Sequence, residues 1–148
     1  LIPTICVYMA LLPMIYALAY PGDVLNLLDA VATLLAVIAV IIQIISDQQM
    51  YNFRKNISEP QTMQSGLWFY SRHPNYFGEI LFWFSLFVFA IAADIGFAWL
   101  LIGCVIMYAL IAIASVAMMD KRSLLRRPDF KEYMDSTPPI FINFFKKG

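Results

Sequence analysis

Four long apolar segments dominate this sequence, and each can cross or nearly cross the hydrocarbon core of a membrane, which is about 30 Å thick. They cover residues 1–20, 27–45, 75–93 and 97–119. Hydrophobic residues make up 61% of the chain and charged residues only 14%, whereas soluble domains are less apolar and more charged. A domain this small could not cover so much apolar surface in water. The sequence therefore predicts an all-α transmembrane bundle with about four spans.

The ten basic residues are confined to two stretches of the chain, 46–79 and 120–148. They are Arg54, Lys55, Arg72, Lys121, Arg122, Arg126, Arg127, Lys131, Lys146 and Lys147. The short links at 21–26 and 94–96 contain no lysine or arginine. By the positive-inside rule, segments 46–74 and 120–148 lie on the cytoplasmic or equivalent side of the membrane, together with the N-terminus. No basic helical face or aromatic platform accompanies these residues, so we expect no nucleic-acid binding.

The apolar run begins at the first residue, without an initiator methionine, a charged n-region or a small-residue cleavage site. We interpret the 148 residues as one membrane domain, the C-terminal part of a longer chain. Residues Lys121 to Met134 predict a charged surface helix that ends before Pro138-Pro139. Cys6 and Cys104 lie in apolar runs without metal-ligand spacing, so we interpret them as packing residues and predict no metal site.

The most informative stretch is residues 66–79, which read GLWFYSRHPNYFGE. Pro74 suits the first turn of a helix, so the third span should begin near it. Polar side chains flank this start: Arg72 and His73 precede it, and Asn75, Tyr76 and Glu79 follow it. A carboxylate one turn into a span is costly in hydrocarbon, so Glu79 should face the bundle interior or a wet cavity and have a partner. Positive charge beside a helix N-terminus predicts a site for a phosphate-bearing cofactor.

Two other helix ends should reach the same side of the membrane. The second span ends in Ser46-Asp47-Gln48-Gln49, with Arg54 about two turns on, and the fourth ends in Asp120-Lys121-Arg122. The three helix ends together predict the cofactor pocket. Arginine and lysine at a membrane boundary often only anchor and orient spans. We expect anchoring for Lys55, Lys146 and Lys147, whereas both interpretations stay open for Arg122, Arg126 and Arg127.

The string YSRHPNYFGE at residues 70–79 resembles the C-terminal region of the steroid 5-alpha-reductase-like membrane proteins, in particular the branch called the DUF1295 proteins. Sterol reductases share its Arg-His-Pro-Asn-Tyr core. The likeness extends back to Ser46-Asp47 and forward through Asp120-Lys-Arg to Thr137-Pro138, which is roughly the last hundred residues.

This resemblance implies an NADPH-dependent reduction of a carbon–carbon double bond in a steroid-like or other lipid. Residues matching the cofactor contacts of steroid reductases are Asp47, Arg54, Asn75 and Glu79. Residues matching the sterol-reductase motif are Arg72, His73 and Tyr76. Asp120, where relatives more often have glutamate, and Arg122 complete the predicted cofactor site. Hydride would pass from the nicotinamide to an electron-poor alkene carbon, and Tyr76 is the best catalytic proton donor present.

Two alternatives remain open. Isoprenylcysteine carboxyl and phospholipid methyltransferases also resemble the chain, share an Arg-His-Pro-x-Tyr-x-Gly motif and bind S-adenosylmethionine. Asn75 before Tyr76, and Glu79 directly after Gly78, favour the reductase form. The chain could instead be a non-catalytic subunit with partners in a membrane complex. For an enzyme we expect membrane lipid and a lipophilic small-molecule substrate as partners.

Overall fold

The computed structural model describes residues 2–22 and 24–143, and all regular structure within these ranges is helical. The α-helices are α1 (Ile2–Ala19), α2 (Leu27–Lys55), α3 (Leu67–Tyr70), α4 (Pro74–Ala93), α5 (Leu101–Ala109), α6 (Ala117–Arg126) and α7 (Phe130–Ser136). A 3-10 turn at Ile95–Leu100 leads into α5, and a π-helical segment at Leu110–Val116 joins α5 to α6. Four helices are long and apolar enough to cross a membrane: α1, α2, α4 and the composite helix Ile95–Arg126. The predicted all-α fold is confirmed.

Small residues allow the long helices to pack closely. A Cβ atom on Gly78 of α4 would come within 2.8 Å of the Ala39 carbonyl oxygen on α2. A Cβ atom on Gly103 of α5 would collide with the backbone of α1 at Met9. Such close approach maximises van der Waals contact, which drives helix association where lipid tails replace water. Helix α4 thereby packs against both α1 and α2, and its N-terminal end is held in place.

The two short links meet at one end of the bundle. Asn26 caps the N-terminus of α2, and its side-chain amide also donates a hydrogen bond of 2.8 Å to the carbonyl oxygen of Ala92. Because the long helices run antiparallel, the segment between α2 and α4 and the segment after α6 lie at the opposite end. The described basic residues therefore share one end of the bundle, whereas Lys146 and Lys147 lie outside the described residues.

Helix α2 is longer than the apolar pattern predicts. It continues from residue 45, where the second predicted span ends, to Lys55. The added residues are mostly polar, and a hydrogen bond of 2.9 Å from Gln48 to Asn52 joins successive turns. Arg54 and Lys55 lie in its last turn, where the helix dipole favours cations. Arg54 is therefore part of the helix rather than of the following loop.

The predicted surface helix from Lys121 to Met134 is corrected by the structure. Its first six residues continue the fourth span to Arg126, and a separate helix, α7, begins at Phe130. The break follows from Pro128, because a proline disfavours helical backbone in the residue before it. Arg127 accordingly has extended backbone, with φ −133° and ψ 109°. The resulting bend brings α7 back across the end of the bundle.

Candidate functional site

The segment between α2 and α4 is fastened to the end of α2. The indole nitrogen of Trp68 donates a hydrogen bond of 3.1 Å to the Ser46 carbonyl, and the Leu67 amide donates one of 3.0 Å to the Gln49 side chain. Gly66 has a φ of 61°, in the left-handed region that favours glycine. These contacts place the Ser-Arg-His-Pro motif beside the polar face of α2.

The motif itself is held by the C-terminal segment. The Arg72 amide donates a hydrogen bond of 2.9 Å to the Pro138 carbonyl, and the Ser71 hydroxyl donates one of 2.8 Å to the Ile140 carbonyl. The hydroxyl of Tyr133 on α7 reaches the carbonyl oxygens of Trp68 and Ser71. Pro74 occupies the first turn of α4, as predicted. The backbone around Arg72 and His73 is thus held from two sides.

Asp120 joins Arg72 to His73 at the centre of the site. One carboxylate oxygen lies 3.2 Å from Nη2 of Arg72, and the other lies 3.0 Å from Nε2 of His73. The Arg72, His73 and Asp120 side chains are about nine-tenths buried, with exposed fractions of 10%, 10% and 13%. A buried carboxylate of this kind needs such partners to offset its lost hydration. Asp120 therefore orients both side chains of the motif.

A cavity of about 380 Å³ opens between these elements. Six of the predicted site residues line it: Asp47, Arg54, Arg72, His73, Asn75 and Tyr76. This volume falls in the range of small-molecule sites. These six come from the end of α2 and the start of α4, and the third helix end contributes Met119 and Ser123 to the lining instead of its predicted residues.

Two buried side chains in this cavity have polar atoms without a hydrogen-bond partner among the described residues. Arg72 uses Nη2 for Asp120, but its Nε and Nη1 atoms are unpaired, and Oδ1 of Asn75 is also unpaired. Buried polar atoms are nearly always hydrogen-bonded, and leaving a charged donor unpaired costs free energy. A ligand with anionic oxygens would satisfy the guanidinium, so these residues fit a phosphate-bearing cofactor.

The tyrosine ring next to His73 has a defined orientation. The rings of His73 and Tyr76 stack with centroids 5.5 Å apart and an angle of 25° between their planes. Asp120 holds His73, and His73 in turn limits the positions open to Tyr76. A chain of contacts thus runs from the end of the fourth span to the predicted proton donor.

Three predicted residues lie outside the lining of this cavity. Asp120 does not line the cavity itself but contacts Arg72 and His73, which do. Glu79 is half-buried, and the partner predicted for its carboxylate is not found among the described residues. Arg122 is exposed and lines an adjoining groove instead.

Sequence reasoning missed several residues that line the cavity, among them Met50, Tyr51, Trp68 and Tyr133, whereas it had left a functional role open for Arg127, which also lines it. Met50 and Tyr51 could have been found, because with Asp47 and Arg54 they follow the spacing of one helical face. This spacing was overlooked because the second span was predicted to end at residue 45, before these residues. Tyr133 was expected on a surface helix, and only the bend at Pro128 brings it here.

Burial changes the titration of two of these groups. Burial raises the pKa of the Tyr133 phenol above its usual value, so this hydroxyl stays a hydrogen-bond donor. Burial, and then the neighbouring charge of Arg54, lower the pKa of Arg127. Arg127 remains a cation at neutral pH, since an arginine pKa begins far above that range.

A comparison with protein families finds a match over most of the chain. The model of a family described as "Protein of unknown function (DUF1295)" matches residues 1–137. Searches of the curated proteins and of the solved structures each returned no match.

Proposed function

The chain belongs to the DUF1295 family, and from the residues that line its polar cavity we propose that it is an integral membrane oxidoreductase. The proposed reaction is the NADPH-dependent reduction of a carbon–carbon double bond in a steroid-like or other lipid. The cofactor class is supported by the cavity, and the reaction type by the resemblance of residues 70–79 to steroid and sterol reductases. The observation that carries the proposal is the nine-tenths buried side chain of Arg72, which lines the cavity and has two buried nitrogen atoms without a hydrogen-bond partner among the described residues.

The charges around the cavity favour NADPH over S-adenosylmethionine. Three arginines line it, Arg54, Arg72 and Arg127, whereas the described carboxylates at this place are Asp47 in the lining and Asp120, which is paired with Arg72. NADPH carries several phosphate negative charges, whereas S-adenosylmethionine carries a positive sulfonium and a positive amine. Arginine matches phosphate geometry and charge, so this lining would repel the reacting centre of S-adenosylmethionine. The methyltransferase alternative is therefore the weaker of the two.

Each residue has a distinct proposed part. Arg54 and Arg72 bind phosphate oxygens, and Asn75 at the start of α4 orients the nicotinamide end. NADPH supplies a hydride when bound. Tyr76, which lines the cavity and stacks on His73, holds a proton on its phenol oxygen for transfer to the substrate. Asp120 is a positioning residue, since it acts through Arg72 and His73.

The location of the cavity agrees with a lipid-soluble substrate. It lies at the end of the bundle that carries the described basic residues, which we propose faces the cytoplasm or an equivalent compartment. A water-soluble cofactor could then enter from that side, while a lipophilic substrate enters from the membrane. The two short links lie at the opposite end of the bundle.

The proposal is tested with the full-length protein in detergent. NADPH, NADH and S-adenosylmethionine are titrated side by side in a thermal-unfolding assay, and NADPH alone should stabilise the protein. Arg54→Gln and Arg72→Ala, two variants of residues that line the cavity, should each weaken NADPH binding by about ten- to hundredfold, the loss expected for a hydrogen bond to a charged group. Lys131→Ala is the control, because Lys131 is an exposed cation on α7 outside the cavity.

Reduction itself is followed by the loss of NADPH absorbance with enone lipids. Unchanged affinity in both cavity variants would refute the site, and stabilisation by S-adenosylmethionine alone would establish the methyltransferase alternative. NADPH binding without turnover of any enone lipid would favour a non-catalytic subunit of a membrane complex.

A further inference from the structure

A second groove with unusual charge adjoins the cavity. It has a volume of about 390 Å³ and lies between the C-terminal ends of α2 and α6. We call it the arginine groove; its lining consists of Arg54, Met119, Arg122, Ser123, Arg126 and Arg127. Among the described residues, no carboxylate lines it. Four guanidinium groups thus converge on one small volume.

The arrangement follows from the helix geometry. Met119, Arg122, Ser123 and Arg126 have the spacing of one face of α6, and the extended backbone of Arg127 follows directly. Arg54 projects from the last turn of α2 to close the other side. The dipoles of these two helix ends favour nearby cations, but that effect reaches only the last turn and is small for exposed groups. It does not explain the convergence of cations from two helices.

These cations repel one another and have no ion-pair partner among the described residues. Arg72 and Lys131, in contrast, each form an ion pair. The pKa of half-buried Arg127 is lowered first by burial and then by the charge of Arg54, and the second of these causes reflects the repulsion. Asp129 acts in the opposite direction on Arg127, but its carboxylate already accepts a hydrogen bond of 3.0 Å from the Thr62 amide. An anion with more than one charge would relieve the repulsion.

We propose that the arginine groove is a binding site for a phosphomonoester group. Such a group presents three acceptor oxygens and close to two negative charges, which several guanidinium forks can bind together. Two kinds of molecule would present a phosphomonoester group to the arginine groove. One is an anionic lipid such as phosphatidic acid, since basic pockets at helix ends bind lipid head groups. The other is the 2′-phosphate of NADPH, and this form alone rests on the proposed function.

The test uses the full-length protein and the double variant Arg122→Gln/Arg126→Gln. Both residues are exposed, so the variant should fold. Lys121→Gln is the matched control, because Lys121 is an exposed cation on the same helix that does not line the groove. Thermal unfolding is measured in zwitterionic micelles with added phosphatidic acid or phosphatidylcholine, and separately with 2′,5′-ADP or adenosine.

At least one phosphomonoester probe should stabilise the wild type more than its partner lacking that group. The double variant should lose at least about tenfold in affinity for that probe, and Lys121→Gln should keep it. A response to phosphatidic acid identifies a lipid head group, and a response to 2′,5′-ADP identifies the nucleotide. The inference is overturned if neither probe binds better than its partner, or if Lys121→Gln loses as much affinity as the double variant. The lipid arm does not require NADPH binding, so its result stands even if the proposed function fails.

Discussion

Replacing Asp120 by asparagine tests how the site is held together. The substitution keeps the side-chain size and one acceptor oxygen but removes the charge that faces Arg72 and His73 at 3.2 and 3.0 Å. At an effective dielectric constant of about 20, an ion pair at the Arg72 distance has a Coulomb energy of roughly 5 kcal/mol. Breaking a buried pair by removing one partner costs about 3–5 kcal/mol, because the other charge stays buried. We expect Asp120→Asn to lower the free energy of unfolding by about 3 kcal/mol, the low end of that range, because the amide oxygen still accepts a hydrogen bond.

The free energy of unfolding is measured by titrating the protein from mild detergent into dodecyl sulfate. Asp135→Asn is the control, since Asp135 forms an exposed pair with Lys131, whose side chain is 63% exposed. Such a surface pair contributes about 1 kcal/mol or less. In the double variant Arg72→Gln/Asp120→Asn the loss should be smaller than the sum of the two single losses, because neither charge is left alone. If Asp120→Asn costs no more than Asp135→Asn, the buried pair does not hold the motif and the reasoning is wrong.

Three further predictions follow from single contacts. Gly78→Ala should destabilise the bundle by about 1–3 kcal/mol in the same titration, because the added Cβ meets the Ala39 carbonyl oxygen at 2.8 Å. Gly22→Ala is the control and should not destabilise it, because the nearest contact of that Cβ is an ordinary one at 3.5 Å. Tyr133→Phe should lower the free energy of unfolding by about 1–2 kcal/mol, because the hydrogen bond to the Trp68 carbonyl is lost. Ser136→Ala is the control, because Ser136 is an exposed residue on the same helix. Because the pKa of Tyr133 is raised, its phenol contributes stability that is complete below about pH 10 and is lost above it, where the unfolded phenol ionises first. The unfolding free energy should therefore fall less steeply at alkaline pH in Tyr133→Phe than in the wild type. Equal slopes in the two proteins would contradict the buried hydroxyl.

The long helices and the end of the bundle that carries the charges could be derived from the sequence because both depend on local patterns. An apolar run of about 20 residues forms a helix in lipid whatever its neighbours, since its backbone hydrogen bonds must be made within the segment. Pro74 likewise marked the start of α4 through its own geometry. The resemblance of residues 70–79 then directed attention to side chains that largely do line one cavity.

Other features depended on contacts between residues far apart in the chain. Polar sequence after residue 45 ended the predicted span, yet α2 continues, so Met50 and Tyr51 reach the cavity on the face that also carries Asp47. The bend at Pro128 could be anticipated as a helix break, but not the direction that carries Tyr133 to the carbonyl of Trp68. Such directions are set by packing, and no local pattern encodes them.

The sequence alone determined that this chain forms long membrane-length helices with its basic residues at one end, because hydrophobic length and charge are properties of each segment by itself. Only the tertiary structure decided which charges meet. It paired Asp120 with Arg72 and His73, left Glu79 without a partner among the described residues, and gathered four arginines into one groove. The physical reason is that pairing depends on distances of a few ångströms between helices, which follow from how small residues such as Gly78 let those helices approach.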